Sequence, residues 1–393
     1  MKAKIETSAG FRSVSKIIIV CHVYFKFQCS APSFSTGLLW VKKLGYYQLQ
    51  QPKEQADDWI IIADESIGIG QEKLLVVLGI RRCNIDFLRP LQLQDLKPIL
   101  VKSKEKWTGD DIAKELKTVK KQLGEILYAV TDAGSTLKKG LKNSDIKHVY
   151  DITHAIAICL EKIYKNDTEF QEYTNLMGQM RFKKCCSKYA HLIPPNQRSK
   201  SRFLNIDIIT NWGIKVLRAL EKNDASEDEK GQLLWVKEKE GLIVEMDKIM
   251  EVIRQISIIL KSGGLSKKNK RKCISILKTC KKDRMRKFRE YFINYLNNNA
   301  VHIDKRGEKL LCCSDVIEST FGKYKNEISK NLMTGITDLA LIIPAFTSDL
   351  SEEEINKAID YCTIKDIKQW SKTNLCESLS VKRNAILKKV ERK

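Results

Sequence analysis

Acidic charge is in short supply. Of 393 residues, 48 are Asp or Glu against 70 Lys or Arg, a formal net charge of +22. An ordinary metabolic enzyme has no need of that excess. A polyanionic partner, most simply nucleic acid, does, because each neutralised phosphate releases condensed counterions. A zinc-finger framework is also missing. The 12 cysteines include no CxxC matched by a second Cys or His pair. Cys185-Cys186 and Cys312-Cys313 are adjacent pairs, a poor geometry for one tetrahedral ion. The cysteine spacing is not that of a small secreted disulfide domain, so reduced and mostly buried thiols are expected, in a cytoplasmic protein (nucleoid-associated in a bacterial cell). No apolar run is long enough to span a bilayer. Residues 17–20 and 23–27 come nearest, but His22 and Lys26 interrupt them and no small-residue cleavage site follows, so neither a membrane span nor a signal peptide is expected. There is no internal repeat. Gly68 and Gly70 stand between two strand-like runs, the wrong context for a phosphate loop.

What is present is room for two or three domains, with 43% hydrophobic residues to fill their cores. Residues 1–50 read as a small helical unit. One helix covers 14–27, and a second starts at the Ser33 cap and stops at Gly45. With Lys42 and Lys43 on the second element, the pair suits a helix-turn-helix reader of a major groove, shortened by one helix, or else a plain helical hairpin. Residues 48–55 read as a linker. Strands are expected at 59–63, 73–80 and 85–93, then a helix over 108–123, a strand at 126–130, a short helical turn, and a strand at 147–150. Three strands, helix, strand, short helix, strand is the order of an α/β, ribonuclease-H-like mixed five-stranded sheet flanked by helices. A large all-α insertion follows, with helices over 152–165, 168–188, 206–222, 231–261 and 266–299. Apolar residues 332–346 should pack on the sheet, and 351–393 read as a basic helical tail. The expected domains are 1–50, 57–165, an insertion 166–310, 311–350 and the tail 351–393.

Three acids stand out within that layout. Asp64 ends the run Trp59-Ile60-Ile61-Ile62-Ala63, and Asp132 ends Ile126-Leu127-Tyr128-Ala129-Val130-Thr131. Glu318 lies in Ser314-Asp315-Val316-Ile317-Glu318-Ser319-Thr320-Phe321-Gly322-Lys323-Tyr324-Lys325. Carboxylates at the ends of buried strands are held rigidly. Two of them side by side, with a helix-borne Glu, can hold two divalent ions roughly 3.5–4 Å apart for in-line attack on a phosphodiester.

These segments resemble the DDE transposases, ribonuclease-H-like enzymes that include the retroviral integrases. The likeness covers roughly 57–165 and 310–346. Asp64-Glu65-Ser66-Ile67-Gly68-Ile69-Gly70 looks like the first catalytic strand and its turn, and Thr131-Asp132-Ala133-Gly134-Ser135 like the second site. Asp151-Ile152-Thr153-His154 resembles the D-x-x-H found in members with helical insertions, and Glu318 with Lys325 the E-x6-K of the third site. Leu311 and Ser314 stand where some relatives carry Tyr and Arg. The resemblance implies Asp64, Asp132 and Glu318 as catalytic ligands of two Mg²⁺ (or Mn²⁺) ions. It implies cleavage at the ends of a mobile element followed by strand transfer into target DNA. The implied partner is double-stranded DNA, bound by a homodimer or higher oligomer. A non-catalytic DNA-binding descendant and a ribonuclease-H-like nuclease are the competing readings.

Further candidates are DNA contacts. Lys325, two turns from Glu318, either touches a phosphate or is a solvated lysine. Asp151 reads as a helix cap, and His154 reaches either the metal site, a phosphate or a structural partner. Arg198, Lys200 and Arg202 form a basic loop. Lys268, Lys270, Arg271 and Lys272 belong to the run Lys267-Lys268-Asn269-Lys270-Arg271-Lys272, and a second run covers 281–287. Each run either tracks a DNA backbone or is a solvated face. Trp212 and Trp235 either stack on a displaced base or belong to the core.

Overall fold

The computed structural model describes residues 1–390 apart from 8, 27–29, 70–71, 133, 198–202, 204, 223, 225, 304–306, 329–332 and 334. The chain forms two compact units. One comprises Met1–Asp86, Leu91–Val149 and Ser314–Lys393, the other Phe87–Pro90 and Tyr150–Cys313.

The first unit opens with helices α1 (Lys2–Glu6), α2 (Phe11–Phe25) and α3 (Phe34–Gln50). Ser33 caps α3, its Oγ accepting the Thr36 amide at 3.1 Å. The helix does not stop at Gly45 as expected but runs on to Gln50, so the first part of the expected linker is helical. Gly45 is a point of close approach instead: a Cβ there would lie 1.7 Å from the Leu341 carbonyl oxygen. Val41, Leu44 and Leu49 are buried along the helix.

The sheet follows: β1 (Ala56–Ile69), β2 (Glu72–Arg81), β3 (Lys97–Lys104), β4 (Gly124–Thr131) and β5 (His148–Tyr150), in the order β3-β2-β1-β4-β5. β1 is antiparallel to β2 and parallel to β4, and β2 is antiparallel to β3. Ile60, Ile61 and Ile62 are fully buried, as are Leu74 to Leu78, which is what a central strand covered on both faces requires. One face is covered by α4 (Gly109–Leu123) and α5 (Ser135–Asn143), whose Ile112, Leu116, Val119, Leu137 and Leu141 join Trp59, Ile61, Leu75, Val77 and Ala129 in one core. The start of α4 is set by a Thr108/Asp111 capping box.

The strand expected over 85–93 is not formed. Short 3-10 turns at Arg82–Asn84 and Leu93–Asp95 flank that stretch, and β3 lies further on. Pro90 has no amide to donate to a ladder, whereas Ile99, Val101 and Ser103 alternate inward along the true strand.

The second unit is helical: α6 (Ile152–Tyr164), α7 (Thr168–Lys184), α8 (Ile206–Glu221), α9 (Glu227–Lys237), α10 (Glu240–Gly263), α11 (Lys267–Leu277) and α12 (Asp283–Ala300). Two helices expected as single pieces are each two. The 231–261 segment is α9 and α10, with a Ser226/Glu229 capping box starting α9 early. The 266–299 segment is α11 and α12, separated by 278–282. Tyr164, Phe170, Tyr173, Phe288 and Phe292 are fully buried in this unit. Arg284 joins Asp167, Glu169 and Glu245 at 2.7–3.0 Å.

The chain then completes the first unit with α13 (Asp315–Glu327), a 3-10 turn at Asp338–Leu341, α14 (Ile342–Ala345), α15 (Glu352–Tyr361), α16 (Ile364–Asn374) and α17 (Leu379–Val390). Ile342, Ile343, Ala345 and Phe346 are buried, and α14 packs on α3 and β3. The stretch expected as a basic tail is partly core, since α15 and α16 pack on α3 and bury Ala358, Ile367 and Trp370.

The mixed five-stranded sheet and its flanking helices are consistent with the ribonuclease-H-like fold class expected from sequence. The cysteines of the described residues are free thiols. Among those residues no helix is long and apolar enough to cross a membrane.

Candidate active site

The site begins with strand register. β1 and β4 run parallel with Ile60 beside Tyr128, Ile61 beside Ala129 and Ile62 beside Val130. Two residues further along each chain stand Asp64 and Asp132. Residues two apart share a face, and neighbouring strands lie about 4.8 Å apart. The paired register ends at Ile62 and Val130, and Asp64 and Asp132 each stand two residues beyond that pair, Asp64 still within β1 and Asp132 just past the end of β4.

Each aspartate is fixed by its surroundings. Asp64 is only 7% exposed and pairs across to Val76 of β2. It is not the end of its strand, as expected, because β1 continues to Ile69 past a register shift between Asp64 and Ile67. Asp132 follows the last residue of β4, and its Oδ1 accepts the Gly134 amide at 2.9 Å. A Cβ on Gly134 would come within 2.9 Å of that oxygen, so glycine keeps the turn close to the carboxylate. Thr131, fully buried, places its Oγ1 2.9 Å from the Asp132 carbonyl oxygen and 2.9 Å from His148 Nε2.

The register shift adds a residue that sequence reasoning missed. Strict alternation would turn Glu65 away from Asp64, but a bulge re-aims side chains. Burial pushes the Glu65 carboxyl above its ordinary value, the Lys73 ammonium draws it back, and the negative charge of Asp132 pushes it up again. Lys73 Nζ lies 3.7 Å from Glu65 Oε1. The other oxygen, Oε2, is buried and among the described residues has no hydrogen-bond partner within 3.5 Å. The only sequence signal was the doublet Asp64-Glu65, and the bulge that gives it meaning left no mark in the hydrophobic pattern.

Glu318 lies in the first turn of α13, which packs against β1, the strand that carries Asp64. Ile317, Thr320, Phe321 and Tyr324 are the buried face of that helix, and Glu318 is half-buried beside them. Lys325 is exposed in the last turn.

Oxygen donors of this kind suit a small hard cation. Carboxylates are the ligands Mg²⁺ and Mn²⁺ prefer over thiolates or imidazoles. A buried carboxyl at Glu65 next to the like charge of Asp132 is a second feature that fits a cation nearby.

The remaining candidates fall elsewhere. Asp151, fully buried, caps α6 in the second unit as expected, its Oδ1 accepting the His154 amide at 2.9 Å. The same oxygen lies 3.1 Å from His154 Nδ1. Lys42 pairs with Asp338 at 2.7 Å and Lys43 donates to the Ile359 carbonyl at 2.5 Å, ties that hold α3 within the first unit. Arg198, Lys200 and Arg202 lie outside the described residues. Trp212 and Trp235 stack on each other with ring centroids 6.0 Å apart, and Trp235 also meets Tyr173. Lys268, Lys270, Arg271 and Lys272 lie on α11.

No protein-family model matches the chain, and no curated protein matches it. Among solved structures it is similar to one described as the Drosophila P element transposase strand transfer complex, at 12% identity and a TM-score of 0.43, over 89% of this chain and 94% of that one. A likeness this distant assigns no role to any residue.

Proposed function

We propose that the first unit holds a metal-dependent centre that cuts DNA strands and transfers them, the activity of a DDE-type transposase. The observation that supports this reading is the parallel register of β1 and β4, whose last pair, Ile62 beside Val130, stands two residues before Asp64 and Asp132. The excess of 70 basic over 48 acidic residues supports DNA as the substrate.

Asp64 and Asp132 would hold two Mg²⁺ or Mn²⁺ ions, with Glu318 completing the shell of one. Such ions supply charge to the scissile phosphate and lower the pKa of a water that attacks it. The chain's own part is positional. Asp64 on β1, Asp132 just past the end of β4 and Glu318 on α13 would offer the substrate phosphate a preorganised set of carboxylates. In the first step water attacks phosphorus at the element's end, the P–O3′ bond breaks, and a 3′-hydroxyl and a 5′-phosphate result. In the second, that 3′-hydroxyl attacks a phosphate of target DNA, a new P–O3′ bond forms, and a target 3′-hydroxyl leaves. One ester bond is exchanged for another, so no external energy source is required. Double-stranded DNA, bound by a homodimer or larger assembly on paired ends, is the partner this reading calls for.

The test is cleavage of duplexes taken from the DNA flanking the reading frame, by purified protein with Mg²⁺ or Mn²⁺. The wild type should cut, and Asp64→Ala, Asp132→Ala and Glu318→Ala should not while still binding DNA. Binding without cutting by the wild type would favour a non-catalytic DNA-binding protein. Cutting at any sequence without strand transfer would favour a nuclease.

A further inference from the structure

The two basic runs of the second unit differ in a way the sequence does not show. In the run at 281–287, Arg284 is consumed by Asp167, Glu169 and Glu245, while Arg286 and Lys287 pair with Asp283 at 2.8 and 3.1 Å. Among the described residues the run at 267–272 has no such partners. Among the described residues, none of Lys267, Lys268, Arg271, Lys272 or Lys309 takes part in an ion pair with an acid within 4 Å. Four of them occupy two like-charged i,i+4 pairs, Lys267 with Arg271 and Lys268 with Lys272, which weaken a helix. They also crowd the first turns of α11, where the helix dipole is positive and no acid stands.

These same five cations line one cleft. Its volume is about 810 Å³, and its walls are Ser266, Lys267, Lys268, Arg271, Lys272, Gly307 and Lys309. Among the described residues no acidic side chain lines it. Lys309 reaches it through the antiparallel bridge between Leu265 and Leu310, whose amides and carbonyls exchange two 2.8 Å hydrogen bonds. Its ammonium also sits over the Phe87 ring, 5.2 Å from the centroid. Lys270 does not line the cleft, so the cavity selects among residues that the sequence treats alike.

We propose that this cleft is a backbone clamp for duplex DNA, seating several consecutive phosphates and reading no base. The proposal rests on the reading of the chain as a DNA-acting protein, and it deepens that reading by naming which cations grip the polymer. Five cations around an open cleft call for a ligand with several negative charges at regular spacing, and a nucleic-acid backbone supplies one. The phosphates also provide the anion that the N-terminal turns of α11 lack. Arg and Lys on phosphates position the duplex without sequence preference.

The experiment is a salt titration of the full chain on a fluorescent 30-bp duplex of arbitrary sequence, without divalent metal. Lys268→Ala and Arg271→Ala should each lower the slope of log K against log salt by about 1. The triple variant Lys268→Ala/Arg271→Ala/Lys272→Ala should lower it by about 2 to 3, so it loses roughly 40-fold less affinity than wild type between 50 and 200 mM salt. Lys270→Ala, which removes the same charge outside the cleft, should leave the slope unchanged. Circular dichroism of each variant should match wild type. A slope unchanged in the triple variant, or lowered as much by Lys270→Ala as by Lys268→Ala, overturns the clamp. The outcome is separable from the catalytic reading. A protein that never cuts but shows this slope pattern retains the clamp and loses the transposase, whereas a protein that cuts with no slope change loses only the clamp.

Discussion

Asp132 stands near enough to Glu65 for its negative charge to raise the proton affinity of the Glu65 carboxyl, although one follows β4 and the other lies within β1. Burial is the larger cause of that rise, and the Lys73 ammonium only partly opposes it. A site that concentrates carboxylates in this way is unfavourable alone and favourable around a divalent cation.

Glu65→Gln should therefore behave oppositely with and without metal. The raised carboxyl is disfavoured in its charged form, so at neutral pH the variant should melt above the wild type in chelator. With Mn²⁺ added, the wild type should gain more in melting temperature than the variant. Differential scanning fluorimetry across a Mn²⁺ series reads both effects. Equal shifts in the two proteins would remove Glu65 from the cation's surroundings.

Glu72 gives a pH signature away from the acid pair. It is 5% exposed, its Oε2 accepts the Ile336 amide at 3.0 Å, and burial raises its carboxyl above the ordinary 4.5 despite that bond. A raised folded-state value means that the fold prefers the protonated acid. The contribution is present in full below 4.5 and is lost as pH climbs through the folded value. Glu72→Gln keeps an acceptor for Ile336 and does not titrate. The stability of the variant relative to wild type should rise over that window, as measured by urea unfolding from pH 4 to 7. A flat difference would contradict the assignment.

Gly45→Ala tests how the N-terminal helices are held. The added methyl would fall 1.7 Å from the Leu341 carbonyl oxygen, and backbone cannot yield as a flexible side chain does. A loss of about 2 kcal/mol in unfolding free energy is expected, in the range for an overpacked core. Gly37→Ala, with nothing within 4 Å, should be neutral or slightly stabilising and serves as its control.

That contrast shows where the sequence was legible. Long periodic segments and strong caps could be read directly: α4 with its Thr108 cap, α6 with Asp151, and the apolar runs that became β1, β2 and β4. Gly45 could not be read, because a glycine that ends a helix and one that admits a neighbouring backbone look alike until Leu341 is in place. β3 was missed because Pro98, a breaker signal, is its second residue, and only sheet pairing shows that Pro98 is tolerated beside Leu78 at a register shift. For the candidate site, Asp64 and Asp132 were visible as acids after buried runs. Glu65 was hidden by a bulge, and Lys309 by a bridge between residues 45 positions apart in sequence.

Arg284 should be the most costly basic residue to remove from the second unit. Arg284→Met leaves Glu245, whose side chain is 8% exposed, without its 3.0 Å partner. Breaking a buried pair in this way costs about 3–5 kcal/mol. Arg286→Ala, on an exposed pair with Asp283, should leave stability nearly unchanged. Chemical denaturation of the two variants decides whether the 281–287 run is structural. Equal effects would mean that it is not.

The central claim is that Asp64 and Asp132, each two residues past the last pair of the parallel β1–β4 register, share divalent cations. Calorimetric titration with Mn²⁺ tests it most directly, on wild type, Asp64→Asn and Asp132→Asn, each checked for native circular dichroism. The account predicts saturable binding by the wild type and at least about a tenfold loss of affinity in each variant. Wild-type Mn²⁺ binding retained by both folded variants would contradict it.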